Sequence, residues 1–137
     1  MRIGVAGSMQ FIEQMAEAAE KLRELGHETF ISKFKDEYVG KSDDEKESQK
    51  LHDKMENDAI REFWQPMQDA DALLVVNLDK HGIKNYIGGN SFLEMGFAHV
   101  LKQKIFLMNS IPEMPYYGTE IVAMRPIVIN GDLTKIV

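Results

Sequence analysis

The sequence predicts an α/β sandwich of three layers, with a five-stranded parallel sheet between two layers of helices. Two observations lead there. Short apolar runs closed by turn residues alternate along the chain with stretches of helical period, the pattern of strands buried on both faces and joined by helices. The first strand–helix–strand segment also has the length of a right-handed crossover, which makes its two strands parallel.

The elements follow in order. "RIGVA" (2–6) is a buried strand that stops at Gly7-Ser8. Phe11, Ile12, Met15, Ala18, Ala19, Leu22 and Leu25 keep helical spacing until Gly26 supplies the stop. "ETFIS" (28–32) alternates as a second strand. The charged stretch that follows opens with Ser42 and Glu45, a capping-box pair, with Asp43 and Asp44 favourable in the first turn. Leu51, Met55, Ala59, Phe63 and Met67 recur at four-residue steps, with Ile60 and Trp64 beside them. They predict one long amphipathic helix, or two, kinked or interrupted at Pro66. The charge run reads as a solvated helix face. "DALLVVNL" (71–78), "KIFLMN" (104–109) and "RPIVIN" (125–130) complete the strands, and a proline-bearing loop and short helix separate the last two.

The chain has 137 residues, which suits one domain spanning 1–137. A net charge of -6 argues against broad binding to a nucleic-acid backbone, though a local basic pocket stays compatible with it. The absence of cysteine excludes disulfides and thiolate metal sites. His27, His52, His81 and His99 lack ligand spacing, and no metal is expected. No leader pattern or membrane-length apolar run is present, so a cytoplasmic protein without membrane partners is expected.

In open parallel sheets, ligands bind beyond the carboxyl ends of the strands. Three segments converge there: "AGSMQF", "NLDKHGIKNYIGGNS" and "NSIPEMPYYG". The middle one is long, and glycines let its backbone approach a ligand. Glu94, early in the helix that follows, has two readings. Ser91-Phe92-Leu93-Glu94 fits a capping box, in which Glu94 reaches back to the Ser91 amide. Alternatively, a carboxylate in a first turn stays ionised near neutrality and can attack an electron-poor anomeric carbon.

"DADALLVVNLDKHGIKNYIGGNSFLEMGFAHVLKQKIFLMN" resembles the nucleoside 2-deoxyribosyltransferases and their relatives, the deoxynucleoside monophosphate N-glycosidases. The shared parts are a strand introduced by Ala70-Asp71, a variable loop, a glycine turn, Glu94-Met95-Gly96-Phe97-Ala98, and a strand from Lys104-Ile105. The resemblance covers about residues 70–109, with "AGS" (6–8) as further support. It implies a flavodoxin-like sheet of order 2-1-3-4-5 and chemistry at the N-glycosidic bond of a nucleoside or nucleoside 5′-monophosphate. Glu94 would be the nucleophile. Gly7, Ser8, Gly88, Gly89, Asn90, Ser91 and Tyr86 would surround the sugar or its 5′-phosphate. The acid assisting the leaving base would be Asp79 or Asp58, with Glu62 a third choice.

The resemblance implies no metal or organic cofactor. It also implies a homodimer or larger even homo-oligomer, with the "PEMPYYG" loop as a contact. The chain departs from the family in having Gly4-Val5-Ala6 where a tyrosine is common, and Gly88-Gly89-Asn90 where an acidic residue often precedes the nucleophile. The competing reading is a non-catalytic nucleotide-binding or sensor module on the same fold. Phe63 and Trp64 read as core contacts, His99 as a packed or surface histidine, and Tyr86, Tyr116 and Tyr117 as loop residues at the ligand end.

Overall fold

The computed structural model describes residues 1–137. Ten elements alternate: β1 (Arg2–Gly7), α1 (Ile12–Glu24), β2 (Glu28–Phe30), α2 (Asp43–Glu56), α3 (Ala59–Met67), β3 (Ala72–Val76), α4 (Gly89–Val100), β4 (Lys104–Leu107), α5 (Gly118–Ala123) and β5 (Ile127–Val128). The strands form one sheet of order β2-β1-β3-β4-β5, with every pairing parallel. That is the doubly wound order implied by the family resemblance. β2 and β5 are shorter than their apolar runs, as edge strands often are.

Alternation along the strands divides the core. Ile3, Val5, Leu74, Val76 and Phe106 point to one face, where Ile12, Met15 and Leu22 of α1 cover them. Leu73, Val75, Ile105 and Leu107 point to the other, under Phe63 and Met67 of α3, Met95 and Ala98 of α4, and Ile121 of α5. β3 is buried throughout, as expected for the centre of a parallel sheet. Each fully buried Leu or Ile contributes about 1.5–3 kcal/mol through apolar burial.

The predicted long helix is two helices, and the break falls at Asn57–Asp58 rather than at Pro66. Asp58 takes a left-handed conformation with φ 53°, which turns the chain. Pro66 lies inside the last turn of α3. The four-residue apolar stripe also fails over α2: Leu51 is 62% exposed and Met55 75% exposed. α2 does not lie flat on the sheet. Its inward residues are Lys46 and Asp53, each buried against a polar partner. Lys46 Nζ donates to Glu13 at 2.8 Å and to the Gln10 carbonyl at 3.2 Å. Asp53 accepts from the Tyr38 hydroxyl at 2.7 Å. These bonds anchor α2 over the carboxyl end of β1.

At the ends of β3 and β4 a reciprocal pair closes the sheet. Asn77, fully buried, accepts from the Asn109 backbone N–H at 2.9 Å, and the Asn109 side chain donates back to the Asn77 carbonyl at 3.0 Å. Asn77 Nδ2 also donates to the Ser110 carbonyl at 3.1 Å. Both loops at the ligand end are therefore held by buried, satisfied polar groups.

Candidate active site

The pattern Ser-x-x-Glu occurs at two helix starts, and the structure treats the two differently. At α2, Ser42 caps the helix: its hydroxyl accepts from the Glu45 N–H at 3.2 Å, and Glu45 accepts from the Ser42 N–H at 3.0 Å. At α4 the helix begins earlier, with Gly88 at the cap position and Gly89 as the first residue. Ser91 is therefore already inside the helix and buried, and no side chain caps the N-terminus. Glu94 sits in the second turn. The capping role expected for it is absent, and so is the first-turn position that was to keep it ionised.

Glu94 instead opens into a cavity beyond the carboxyl end of β1. Val5, Ala6, Gly7, Met9, Met15, Phe34 and Phe63 supply apolar wall, while Ser32, Tyr38, Asp53 and Asn90 supply polar wall. No hydrogen bond or ion pair within the chain reaches the Glu94 carboxyl. The residue is half-buried and lines this chamber. Burial without a compensating charge pushes its pKa up to about 8, because the low-polarity wall disfavours the carboxylate. The chamber's free space is about 40 Å³, room for a few waters. A nucleoside enters only if a wall moves.

The chamber continues into a polar cleft through Gly7, Met9, Lys50 and Asn90, which line both. Ser8, Tyr86, Gly88, Gly89 and Ser91 line the cleft, together with three lysines: Lys50 and Lys54 on α2, and Lys80 after β3. Lys80 Nζ donates to the Ser8 hydroxyl at 2.7 Å. All seven substrate-contact residues expected from the sequence thus border this cleft. Two of their glycines meet tight neighbours. A Cβ on Gly7 would lie 2.9 Å from the Val76 carbonyl oxygen, and one on Gly88 would lie 3.1 Å from the Tyr86 ring. Around Gly89 the space is open.

The carboxylates named as leaving-group acids lie elsewhere. Asp58 is exposed and pairs with Arg61 at 2.9 Å. Asp79, also exposed, accepts from the Asn85 N–H at 2.9 Å and braces its own loop. Glu62 pairs with Lys33 at 2.9 Å. The acidic group that does line the chamber with Glu94 is Asp53, which the sequence reading passed over. Besides Tyr38, it accepts from Gln49 at 3.0 Å and from Asn57 at 2.8 Å. Burial and the adjacent Asp53 raise the Tyr38 hydroxyl pKa, so Tyr38 stays a neutral donor. Gln49 and Asp53 on α2 and Asn57 at its C-terminal cap recur every four residues. That polar stripe was the available signal.

The aromatic residues divide between core and loop roles. Phe63 is buried against Phe30 and also lines the chamber, while Trp64 packs edge-on against Phe97 with centroids 5.0 Å apart. His99 is exposed. Of the three loop tyrosines only Tyr86 borders the cleft; Tyr117 donates to the Ile87 carbonyl at 2.7 Å, and Tyr116 is fully exposed. No helix is long and apolar enough to cross a membrane.

No family model and no curated protein matches the chain. The solved structures similar to it include these two. One is the 2-deoxyribosyltransferase of Bacillus psychrosaccharolyticus, with a TM-score of 0.49 at 17% identity over 78% of this chain and 71% of that one. The other is the CMP N-glycosidase of Clostridium botulinum, with a TM-score of 0.44 at 20% identity over 95% of this chain and 90% of that one.

Proposed function

We propose that the chain cleaves or transfers the N-glycosidic bond of a nucleoside or nucleoside 5′-monophosphate, with Glu94 as nucleophile. One observation carries the reading. The motif carboxyl lines, unpaired, a small cavity at the carboxyl ends of the strands. A structural glutamate would be neutralised by a partner or left in water. In this mechanism the C1′–N bond breaks and its electron pair leaves with the base, while a Glu94 carboxylate oxygen bonds to C1′. Water or a second base then attacks C1′ and releases the carboxylate.

The raised pKa sets the working form. The raised pKa favours a protonated resting carboxyl near neutrality; positive charge developing on the sugar ring favours its ionisation, the proton passing to water. The same raised pKa favours a second reading, in which Glu94 donates its proton to the leaving base and water attacks directly. The two readings predict opposite pH limbs. Asp53, held by Tyr38, Gln49 and Asn57, fixes the wall of the chamber on the α2 side.

Released base is assayed after incubation with a panel of nucleosides and their 5′-monophosphates. Release by the wild type, lost in Glu94→Gln, supports the function. Nucleotide binding without base release across the panel returns the chain to a sensor role. We also propose that the chain is a single domain that self-associates through the exposed loop around Tyr116.

A further inference from the structure

The Glu94 chamber, with about 40 Å³ free, is too small for a nucleoside, and one side of its wall is separable from the rest. Its floor is the carboxyl end of β1, and Glu94 stands on α4, which Met95 and Ala98 fix in the core. Phe34, Tyr38, Lys50 and Asp53 come instead from residues 33–57, the stretch between β2 and α3. Within that stretch the polar groups bind one another. Asp53 accepts from Tyr38, Gln49 and Asn57, and Gln49 also donates to Glu37 at 3.1 Å. The stretch is braced as a unit.

To the rest of the chain it is tied at few points. At its start the Phe34 and Lys35 N–H groups donate to Ser32, and exposed Lys33 pairs with Glu62. Beyond those, every hydrogen bond to the body runs to the beginning of α1. Lys46 Nζ donates to both Glu13 oxygens, at 2.8 and 3.1 Å, and to the Gln10 carbonyl. The Gly40 N–H donates to Glu13 as well, at 3.1 Å. One carboxylate thus holds both α2 and the loop before it. Glu13 is itself immobile, because its neighbour Ile12 and Met15 beyond are fully buried in the core. The Lys46 side chain is 7% exposed, so an ammonium that lost Glu13 would be drawn toward water. The Lys46 hydrogen bond holds the Glu13 carboxyl below its usual range, which keeps the pair ionised.

The ends of the stretch suit a hinge. Asp58, with φ 53°, forms the joint between α2 and α3, and hinges are a few residues at element ends that absorb backbone rotation. The apolar ties are Phe34 and Tyr38, packed against the core. Both also line the chamber, so an entering base would replace contacts that they give up.

We infer that residues 33–57 form a flap over Glu94, latched by Glu13, which admits substrate when the Lys46–Glu13 pair parts. The substrate's part in this rests on the glycosidic reading. The flap and its latch stand on the hydrogen-bond pattern alone.

The test is thiol labelling. The chain holds no cysteine, so one introduced thiol reports its own exposure. Val5→Cys places it in the chamber at a fully buried residue, and Val75→Cys places it at a buried residue on the other face of the sheet. Each is treated with a chromogenic aromatic disulfide under conditions where labelling is slower than reclosing, so that the rate follows the open fraction. Glu13→Ala should speed labelling of Val5→Cys about tenfold or more, the scale of one charge-assisted hydrogen bond, and leave Val75→Cys within about twofold. Glu17→Gln, one turn further along α1 and paired with exposed Lys21, should change neither rate. Ala6→Cys, also buried in the chamber wall, takes the place of Val5→Cys if that variant does not fold. Equal acceleration at positions 5 and 75 would mean that Glu13 stabilises the whole fold, and no acceleration at position 5 that nothing is latched. Either result overturns the inference. A latch-dependent rate in a protein that releases no base from any nucleoside or nucleotide supports the flap and defeats the glycosidic reading instead.

Discussion

Replacing Glu94 by Gln should make the protein more stable in alkaline solution, and the size of the gain follows from the chamber. The carboxyl titrates near 4.5 when solvated and near 8 in the fold, because burial disfavours its charge. A group whose folded pKa is raised contributes stability below its unfolded pKa and loses it as pH rises through the folded one. At about 1.36 kcal/mol per pK unit, moving from 4.5 to about 8 sets an upper bound of about 5 kcal/mol. Water reaching the half-open carboxyl screens part of this, and about 2 kcal/mol is the expected loss. Gln keeps the shape without the charge. Urea unfolding of both proteins from pH 5 to pH 9 should give nearly equal stability at the acid end. The variant should pull ahead by about 2 kcal/mol at the alkaline end, a visible fraction of a domain's total. All other titrations are shared and cancel in the difference. Parallel curves across that range would mean that the carboxyl is solvated, and the argument from burial would fall.

Other outcomes follow from the same geometry. If Glu94 attacks as carboxylate, kcat/KM for base release should rise with pH toward a plateau above about 8; a fall through the same range would assign it the proton-donor role. Gly7→Ala should cost about 1–3 kcal/mol in denaturant midpoint, because its Cβ meets the Val76 carbonyl at 2.9 Å where β1 and β3 approach. Tyr38→Phe should cost about 1.5–3 kcal/mol by removing the hydroxyl that donates to buried Asp53, and a neutral result would mean that water replaces it. Sedimentation should show an even oligomer that Tyr116→Asp disrupts, whereas a concentration-independent monomer contradicts the loop contact.

The sheet was legible because burial on both faces leaves unbroken apolar runs, and β3 is the clearest of them. The candidate site was legible as a place, since parallel sheets put loops and helix starts at one edge, and the glycines, serines and asparagine named for it line one cleft there. Side-chain roles were less legible. Ser91 and Glu94 match Ser42 and Glu45 in spacing, yet the glycines at 88 and 89 start α4 three residues earlier and turn a cap into an inward carboxyl. Leu51 and Met55 fitted a core stripe, but α2 sits at the sheet's end and turns polar residues inward. Lys50 and Lys54 lie one turn apart on that inward side, hidden in a charge run that reads as solvated. Their meaning depends on Lys80, which only the tertiary fold brings to them. Asp53 was concealed in the same way, whereas Asp58 and Asp79 were favoured by their positions in the chain and lie on the surface.

Peptide mass spectrometry of the protein after reaction tests the central claim most directly. The wild type is incubated with a slow 2-fluoro-substituted nucleoside 5′-monophosphate, quenched and digested. A glycosyl adduct of one sugar phosphate on the peptide containing Glu94, absent from Glu94→Gln, is the result the covalent mechanism predicts. Release of base at a measurable rate with no adduct on Glu94, or a Glu94→Gln variant that releases base as fast as the wild type, would contradict it.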